Sequence, residues 1–258
     1  MNDPLVSIVM PNYNCADYMA ETLESVLAQS YKNWELYIVD DCSTDNILEV
    51  MQPYLDKYPN IHFQVLEKNG GPAIARTEGI KLAEGKYIAF LDSDDLWENE
   101  KLEKQVNFMD TNHFDFSCTT YSQVDEHGQS KGMAVVPPLR ASYHKMLLLG
   151  DPIGNLTVMY NQESLGKFKV PNIKKRNDFA LWLRILKDTK YCYGLQEDLA
   201  KYRIRSDSIS RNKFVTAKYH WKLYREYEKF NWFQSLFYVL SWMIVKIIKI
   251  IQRKIGNV

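Results

Sequence analysis

The sequence predicts an α/β fold, in which helices flank a mostly parallel sheet and an amphipathic helical tail follows at the C-terminus. Three observations carry this prediction. Short apolar segments alternate with amphipathic segments over residues 5–91, a pattern that places helices on both faces of a parallel sheet. Polar clusters follow several of the apolar segments directly. An apolar stripe with helical spacing runs through residues 229–258, which contain no Asp or Glu.

The predicted elements follow in chain order from local patterns. Leu23, Val26 and Leu27 have helical spacing behind a potential cap at Asp17, and Pro72 suits the first turn of a later helix. We predict strands at 5–10, 34–39, 61–66, 86–91 and 114–124, helices from about 17, 46–57, 72–83, 98–112 and from 178, a turn at 125–128, and short strands at 191–195 and 200–204.

Composition limits the class of protein. The 258 residues carry no net charge, 46% of them are hydrophobic and 25% are charged, so a packed core is expected and a broad basic surface for nucleic acid is not. The four cysteines are scattered without a CxxC pair, which argues against a zinc site or a disulfide framework and favours a reducing cytoplasm. The apolar run near the N-terminus reads as a strand rather than a secretory signal. We divide the chain into a domain at 1–212 and a helical region at 213–258.

Three polar clusters follow predicted strands, at residues 11–14, 40–41 and 92–95. Ligands of open α/β sheets bind beyond the carboxyl ends of the strands, near a switch in strand order. We therefore expect the three clusters to meet along one edge of the sheet and to form a ligand site there.

Asp92 and Asp94 follow the strand YIAFL as a DxD pair. Paired carboxylates can hold a hard divalent cation, whose other ligands are commonly water and substrate phosphates. Such a cation would neutralise a departing diphosphate. The alternative is an Asp-rich helix cap.

Asp41 can accept the imide N–H of a uracil ring while Tyr13 stacks on the base. The alternative is that residues 40–44 form only a turn with local side-chain hydrogen bonds. Arg76, on the helix after the glycines at 70–71, either reaches the nucleotide or is a solvated helix residue. No GxGxxG fingerprint is present, which argues against a dinucleotide-binding oxidoreductase.

Asp178 lies at a predicted helix start. It either caps that helix or acts as a general base that removes a proton from an attacking hydroxyl. The five histidines have no metal-ligand spacing.

Together the segments at 6–14, 24–45, 70–97 and 177–185 resemble glycosyltransferase family 2, and LDSDDLW and DFALWLRILK are most similar to bacterial enzymes that build cell-surface polysaccharides. The resemblance implies a GT-A (Rossmann-like) fold and metal-dependent, inverting transfer of a hexose or N-acetylhexosamine. The donor would be a UDP-sugar, the cofactor Mn²⁺ or Mg²⁺, and the acceptor a hydroxyl of a growing polysaccharide or lipid-linked glycan. A non-catalytic nucleotide-sugar-binding protein of the same fold is the alternative.

The resemblance also implies roles for individual residues. Asp94 would be the principal metal ligand and Asp178 the catalytic base. Residues 202–210 match a late loop that closes over the diphosphate. Two departures are Thr77, where the family commonly has Asn, and Arg205, where many members have His; an arginine cannot bind metal and would contact phosphate. The residues assigned to nucleotide binding are Pro11, Asn12, Tyr13, Asp41, Arg76, Asp92, Ser93, Arg203 and Arg205.

The C-terminal stripe is too short to span a bilayer. Its charge-free stretch covers 230–245, against the roughly 20 residues that a membrane-spanning helix needs. One interpretation is a helix in the plane of an anionic membrane surface, with Lys246, Lys249 and Arg253 near the lipid headgroups. The other is a helix packed on the domain or on a second subunit. We expect a cytoplasmic protein that is peripheral on the inner face of the cell membrane.

Overall fold

The computed structural model describes residues 3–205 and 213–255 and shows an α/β architecture with one central sheet. The strand order is β3-β2-β1-β4-β9-β6-β10-β5, with β7 paired to β6 and β8 to β10. The strands are β1 (Val6–Asn12), β2 (Trp34–Asp40), β3 (Ile61–Val65), β4 (Tyr87–Phe90), β5 (Leu96–Trp97), β6 (Phe116–Val124), β7 (Ser130–Val135), β8 (Arg140–Ala141), β9 (Met159–Asn161) and β10 (Cys192–Arg203).

Helices cover both faces of this sheet. They are α1 (Ala16–Leu27), α2 (Ile47–Lys57), α3 (Pro72–Leu82), α4 (Lys101–Asn112), α5 (Tyr143–Leu149), α6 (Gln162–Leu165), α7 (Asn177–Asp188), α8 (Lys213–Lys222) and α9 (Trp232–Ile255), with a 3₁₀ turn at Asn155–Thr157 and a π-helical turn at Leu223–Tyr227. One core cluster contains α7 residues such as Trp182, and the other contains residues of α1, α2 and α4 such as Met19.

The first half of the sheet is parallel, as predicted. β3, β2, β1 and β4 are parallel neighbours, and β1 and β4 are buried along their whole length, which explains their uninterrupted apolar sequences. The chain adds β2 and β3 on one side of β1 and then β4 on the other, so the strand order reverses between β1 and β4. This reversal places a crevice at the carboxyl ends of those strands. Beyond β4, antiparallel β9 joins the parallel pair β6 and β10.

Several local predictions differ from the structure. Asp17 does not cap α1: the helix begins at Ala16, whose N–H donates to the Asp45 carboxylate at 2.9 Å. The predicted strands at 191–195 and 200–204 are one strand, β10, with register shifts against β6. Such shifts mark bulges, which interrupt the two-residue alternation used to recognise a strand.

The C-terminal region contributes to the same core. His220, Leu223, Tyr224 and Trp242 are buried, and α9 packs against α5. Gly150 makes this packing possible, because a Cβ built on it would lie 2.1 Å from Trp242 Cδ1, and its φ of +63° suits glycine. The predicted boundary after residue 212 lies outside the described residues. Within 3–205 and 213–255, no helix is both long and apolar enough to cross a membrane.

Candidate active site

The carboxyl ends of β1, β2 and β4 bring the polar clusters together. Asn12 Nδ2 donates to Asp40 Oδ1 at 2.6 Å, and the Ser43 N–H donates to Asp40 Oδ2 at 2.9 Å. Pro11 and Asn12 are buried at the end of β1, whereas Tyr13 is 50% exposed. The Tyr13 ring is therefore open to contact with a ligand, while Asn12 and Asp40 hold the strand ends in place. Contact of Pro11, Asn12 and Tyr13 with a nucleotide stays a prediction.

Asp41 joins the end of β2 to the glycine loop. Its two carboxylate oxygens accept the backbone N–H groups of Gly70 and Gly71, each at 2.7 Å, and Asn69 Nδ2 donates to its carbonyl at 2.9 Å. Asp41 thus makes more than local turn bonds, because its partners lie on another segment. Its contact with uracil stays a prediction.

Arg76 connects the DxD segment with the start of α7. Its side chain is buried, with Nη2 donating to Asp92 Oδ1 and Nη1 to Asn177 Oδ1, both at 2.6 Å. Asn155 Nδ2 also donates to Asp92 Oδ1, at 3.0 Å. A solvated helix arginine is therefore excluded, and Arg76 acts as a bridge between the predicted donor and acceptor sides of the crevice.

Asp94 forms an ion pair with Arg205, and both side chains are partly exposed. Arg205 Nη1 is 3.3 Å from Asp94 Oδ2 and 3.1 Å from Cys15 Sγ. Burial, together with the negative charge of Asp92, raises the pKa of Asp94, and Arg205 opposes this shift. The late loop is described only as far as Arg205; residues 206–210 lie outside the described residues.

Arg203 does not face the crevice. Its side chain has no exposed surface, and its nitrogens donate to Asp94 O at 2.8 Å, Glu126 O at 2.9 Å and Glu21 Oε2 at 2.6 Å. The prediction that Arg203 contacts the nucleotide conflicts with this geometry, because every guanidinium nitrogen already has a protein partner. Its N–H also donates to Asp95 Oδ1 at 2.9 Å, so Arg203 fixes the turn that presents Asp94.

Ser93 is buried within the same turn. Only 3% of its surface is exposed, and its carbonyl accepts the Thr22 hydroxyl at 3.1 Å. The Ser93 hydroxyl is directed to Cys15, whose thiol has a pKa raised by burial. Contact between Ser93 and a nucleotide stays a prediction.

Asp178 is the second residue of α7, not its cap. The residue before the helix is Arg176, in a left-handed conformation with φ 68°, and Asp178 Oδ1 accepts the Phe179 N–H at 2.8 Å. The Asp178 carboxylate is half-buried. Burial lowers the pKa of Arg76, and the negative charges of Asp92 and Asp178 raise it. Asp178 therefore lies near the Arg76–Asp92 ion pair, and its role as a general base stays a prediction.

Comparison with known proteins identifies the family. Residues 7–161, more than half of the chain, match the model of Glycosyl transferase family 2. The chain belongs to this family. It is 42% identical over 246 residues to the putative teichuronic acid biosynthesis glycosyltransferase TuaG of Bacillus subtilis, covering 95% of both chains. It is 36% identical over 250 residues to the Escherichia coli UDP-Glc:alpha-D-GlcNAc-diphosphoundecaprenol beta-1,3-glucosyltransferase WfgD, covering 96% of both.

Solved structures confirm the GT-A fold. S. aureus TarS in complex with UDP matches with a TM-score of 0.69 at 21% identity, over 92% of this chain and 70% of that one. The mannosyltransferase PcManGT from Pyrobaculum calidifontis, in complex with GDP-Man and Mn²⁺, matches with a TM-score of 0.68 at 14% identity, over 100% and 77%. The predicted fold and family are both confirmed, and the chain is a glycosyltransferase.

The donor atoms of this family 2 site fit a divalent cation. In the described parts of the chain, no three His, Cys, Asp or Glu side chains converge as a metal cage. Asp94 and Asp92 nevertheless offer hard oxygen atoms, and burial, together with the negative charge of Asp92, raises the pKa of Asp94. Mg²⁺ and similar ions are often held by one or two carboxylates plus substrate phosphates and water, so this donor set is compatible with such an ion.

Asp151 is a residue of this glycosyltransferase that the sequence did not reveal. Its carboxylate is 5% exposed, with Oδ2 3.1 Å from Arg176 Nη1, and Oδ1 has no hydrogen-bond partner in the described structure. Burial, with a further contribution from the charge of Asp178, raises its pKa to about 7. Its φ of 71° is unusual for a residue other than glycine. Residues 115–175 carry no motif, so no sequence signal marked this position.

Proposed function

We propose that this enzyme transfers a sugar from a UDP-sugar to a hydroxyl of a growing cell-surface polysaccharide or lipid-linked glycan, with inversion at the anomeric carbon. One observation carries the proposal: Arg76 joins Asp92, beside Asp94, to Asn177, beside Asp178. A donor-side carboxylate pair and a candidate base therefore share one crevice. By name, the relative WfgD uses UDP-Glc and a diphosphoundecaprenol-linked sugar, and TarS has been crystallised with UDP-GlcNAc.

On the donor side, Tyr13 stacks on the uracil and Asp41 accepts its imide N–H. Asp92, held by Arg76 and Asn155, orients the ribose and diphosphate. Asp94, with Asp92 beside it, would hold Mn²⁺ or Mg²⁺, which when bound neutralises negative charge on the departing diphosphate.

Two arginines complete the donor side in different ways. Arg205 contacts the diphosphate directly, because its guanidinium lies beside Asp94 and remains 19% exposed. Arg203 is a positioning residue, because it holds the backbone of Asp94 from the side away from the crevice.

On the acceptor side, Asp178 removes the proton from the attacking hydroxyl. The hydroxyl oxygen attacks the anomeric carbon from the face opposite the departing UDP, which inverts the configuration. The mechanism requires no enzyme nucleophile, and a general base contributes typically about 10²–10⁴-fold in rate.

The C-terminal helices complete the proposal. We place the GT-A catalytic fold in residues 1–212, with the C-terminal helices packed on its core, and assign the exposed side of the region 213–258 to association with the inner face of the cell membrane. The support is α9, whose one face packs on the core while the other exposes Phe233, Phe237 and Ile244. An amphipathic helix with this division lies in the membrane interface.

Calorimetry of UDP binding tests the donor assignment. UDP should bind with Mn²⁺ or Mg²⁺ present and about tenfold or more weakly with EDTA, because the cation supplies charge for the diphosphate. Asp94→Asn should lose the metal-dependent part, while Asp188→Asn, at the exposed far end of α7, should match the wild type. Equal UDP affinity with and without EDTA would show that the mechanism does not use a metal. If UDP binds in neither condition, the donor is not a UDP-sugar.

A further inference from the structure

Helix α9 has two faces of different character. Its inner face, with Ser235, Tyr238 and Trp242, packs on the domain. Its outer face carries apolar side chains that are between 47% and 77% exposed along the whole helix. We define the outer face as Phe233, Phe237, Leu240, Ile244, Ile247, Ile248 and Ile251. Such a continuous exposed apolar surface marks a binding site for an apolar partner.

The inner face of α9 reaches the surroundings of the candidate base. Trp242 packs directly on Gly150, and the next residue, Asp151, forms an ion pair with Arg176 at 3.1 Å. Lys246 follows Trp242 by one helical turn on the same side of α9. The charges of Arg176 and Lys246 both act on Asp151, where they oppose the rise in its pKa that burial causes.

Asp178 belongs to the same group of charges. Burial and the negative charge of Asp178 both raise the pKa of Asp151. Arg176 precedes Asp178 by two residues. The candidate base and two cations therefore act on Asp151 at the inner side of α9. The apolar outer face borders this group of charges, because Ile247 directly follows Lys246 in the helix.

The chemistry of this place favours a particular kind of molecule. Arg176 is 22% exposed and the Lys246 side chain is exposed, and guanidinium and ammonium groups are the usual partners of phosphate oxygens. Because Asp151 is only partly ionised near neutral pH, Asp151 and Asp178 together carry less negative charge than Arg176 and Lys246 carry positive charge. A ligand that fits has a hydroxyl near Asp178, an anionic group near the cations and an apolar chain along α9.

We propose that Arg176 and Lys246 bind the diphosphate of a lipid-linked acceptor, whose apolar chain lies along the outer face of α9 and whose sugar hydroxyl reaches Asp178. This inference rests on the proposed function, because it assigns the acceptor side of the same crevice. In this arrangement α9 is part of the acceptor site and its Lys246 a determinant of acceptor affinity.

Calorimetry with three probes tests the assignment on the full chain, with UDP and Mn²⁺ present and absent. The probes are N-acetylglucosamine carrying an undecyl diphosphate, the undecyl glycoside without diphosphate, and the methyl diphosphate without the chain, each below its micelle concentration. The wild type should bind the undecyl diphosphate most tightly. Lys246→Gln should weaken that binding about tenfold or more and leave the undecyl glycoside unchanged.

Matched controls separate the acceptor site from general effects. Lys32→Gln makes the same change on an exposed lysine before β2, at the opposite end of the parallel strands, and should stay within about twofold of the wild type. Ile247→Ser with Ile251→Ser should weaken both undecyl probes and spare the methyl diphosphate. Leu48→Ser, at an exposed leucine of α2, should change none of the three.

Several results would overturn the assignment. If Lys246→Gln binds the undecyl diphosphate as tightly as Lys32→Gln does, Lys246 does not bind the diphosphate. If the wild type binds all three probes with equal affinity, the proposed acceptor site does not exist. The proposed membrane association predicts that phosphatidylglycerol vesicles bind without probe. If Lys246→Gln weakens vesicle binding as much as it weakens binding of the undecyl diphosphate, a bare anionic membrane is the ligand of this lysine. Sedimentation showing a dimer that the Ile247→Ser, Ile251→Ser variant abolishes would make a second copy the occupant. If the wild type does not bind UDP, the proposed donor is wrong. The measurements made with the probes in the absence of UDP would still test the acceptor site.

Discussion

Asp178→Asn separates a chemical role of this carboxylate from a structural one. Asp178 Oδ1 accepts the Phe179 N–H at 2.8 Å, and the amide oxygen of asparagine can accept the same bond. The substitution keeps the size of the side chain and removes its negative charge and its ability to take a proton.

The structure limits the change in stability. A charge lost from the first turn of α7 forfeits about 0.3–1 kcal/mol of interaction with the helix dipole, and attraction to Arg76 is lost with it. Part of this lost stability is regained, because the negative charge of Asp178 no longer repels the Asp151 carboxylate. We expect a net change within about 1 kcal/mol, which corresponds to a few degrees in Tm.

The rate should change far more. Loss of a general base typically costs about 10²–10⁴-fold, equivalent to about 3–5 kcal/mol in the transition state. UDP release from a panel of UDP-sugars, as metal-dependent hydrolysis or transfer, measures this rate, and calorimetry measures UDP affinity in parallel. We expect near-normal UDP affinity with at least a hundredfold slower turnover, while Asp188→Asn retains wild-type turnover.

The reasoning would be refuted by a variant that melts normally, binds UDP normally and still turns over at close to the wild-type rate. Asp178 would then be only a first-turn residue of α7. A variant that melts many degrees lower would show instead that the helix depends on this charge, and the rate would need comparison at a lower temperature.

Two further predictions concern buried ionisable groups. Because the pKa of Asp151 is raised to about 7 in the fold, the unfolded chain releases this proton at lower pH than the native protein, so the wild type loses stability as pH rises. Relative to the wild type, Asp151→Asn should therefore gain about 2–3 kcal/mol in urea unfolding between pH 5 and pH 8; a constant difference would contradict the raised pKa. Lys101 is fully buried over the Trp97 ring, and burial lowers its pKa well below the usual value, so Lys101→Met should raise the free energy of unfolding by about 1–3 kcal/mol. Below about pH 10 the unfolded chain binds a proton at Lys101 that the native protein does not bind, so the stability gained by Lys101→Met should grow as pH falls. If the variant is less stable than the wild type, the buried amine has a favourable partner.

The sequence by itself determined the fold class and the family. The buried strands β1 and β4 read as uninterrupted apolar runs because both of their faces are covered. The position of the DxD pair after β4 and of Asp178 at the start of α7 followed from local pattern. These features depend on neighbouring residues in the chain, which is why one sequence was enough to predict them.

The tertiary structure decided what the polar side chains contact. Arg203 reads as a loop arginine beside Arg205, yet it is buried against the carbonyl of Asp94, 109 residues away. Arg76 binds Asn177 across 101 residues. No local period encodes such pairs, because they depend on which strand ends the sheet brings together.

The same distinction applies to the tail and to Asp151. The apolar spacing of α9 is visible in the sequence, but a stripe does not say which of its sides is covered. Trp242 lies inward only because Gly150 leaves room for it, and Asp151 becomes a weakly ionised carboxylate only because that packing, together with Asp178, surrounds it. Burial of a charge is a property of the assembled fold, since the low dielectric that shifts its pKa comes from residues distant in the chain.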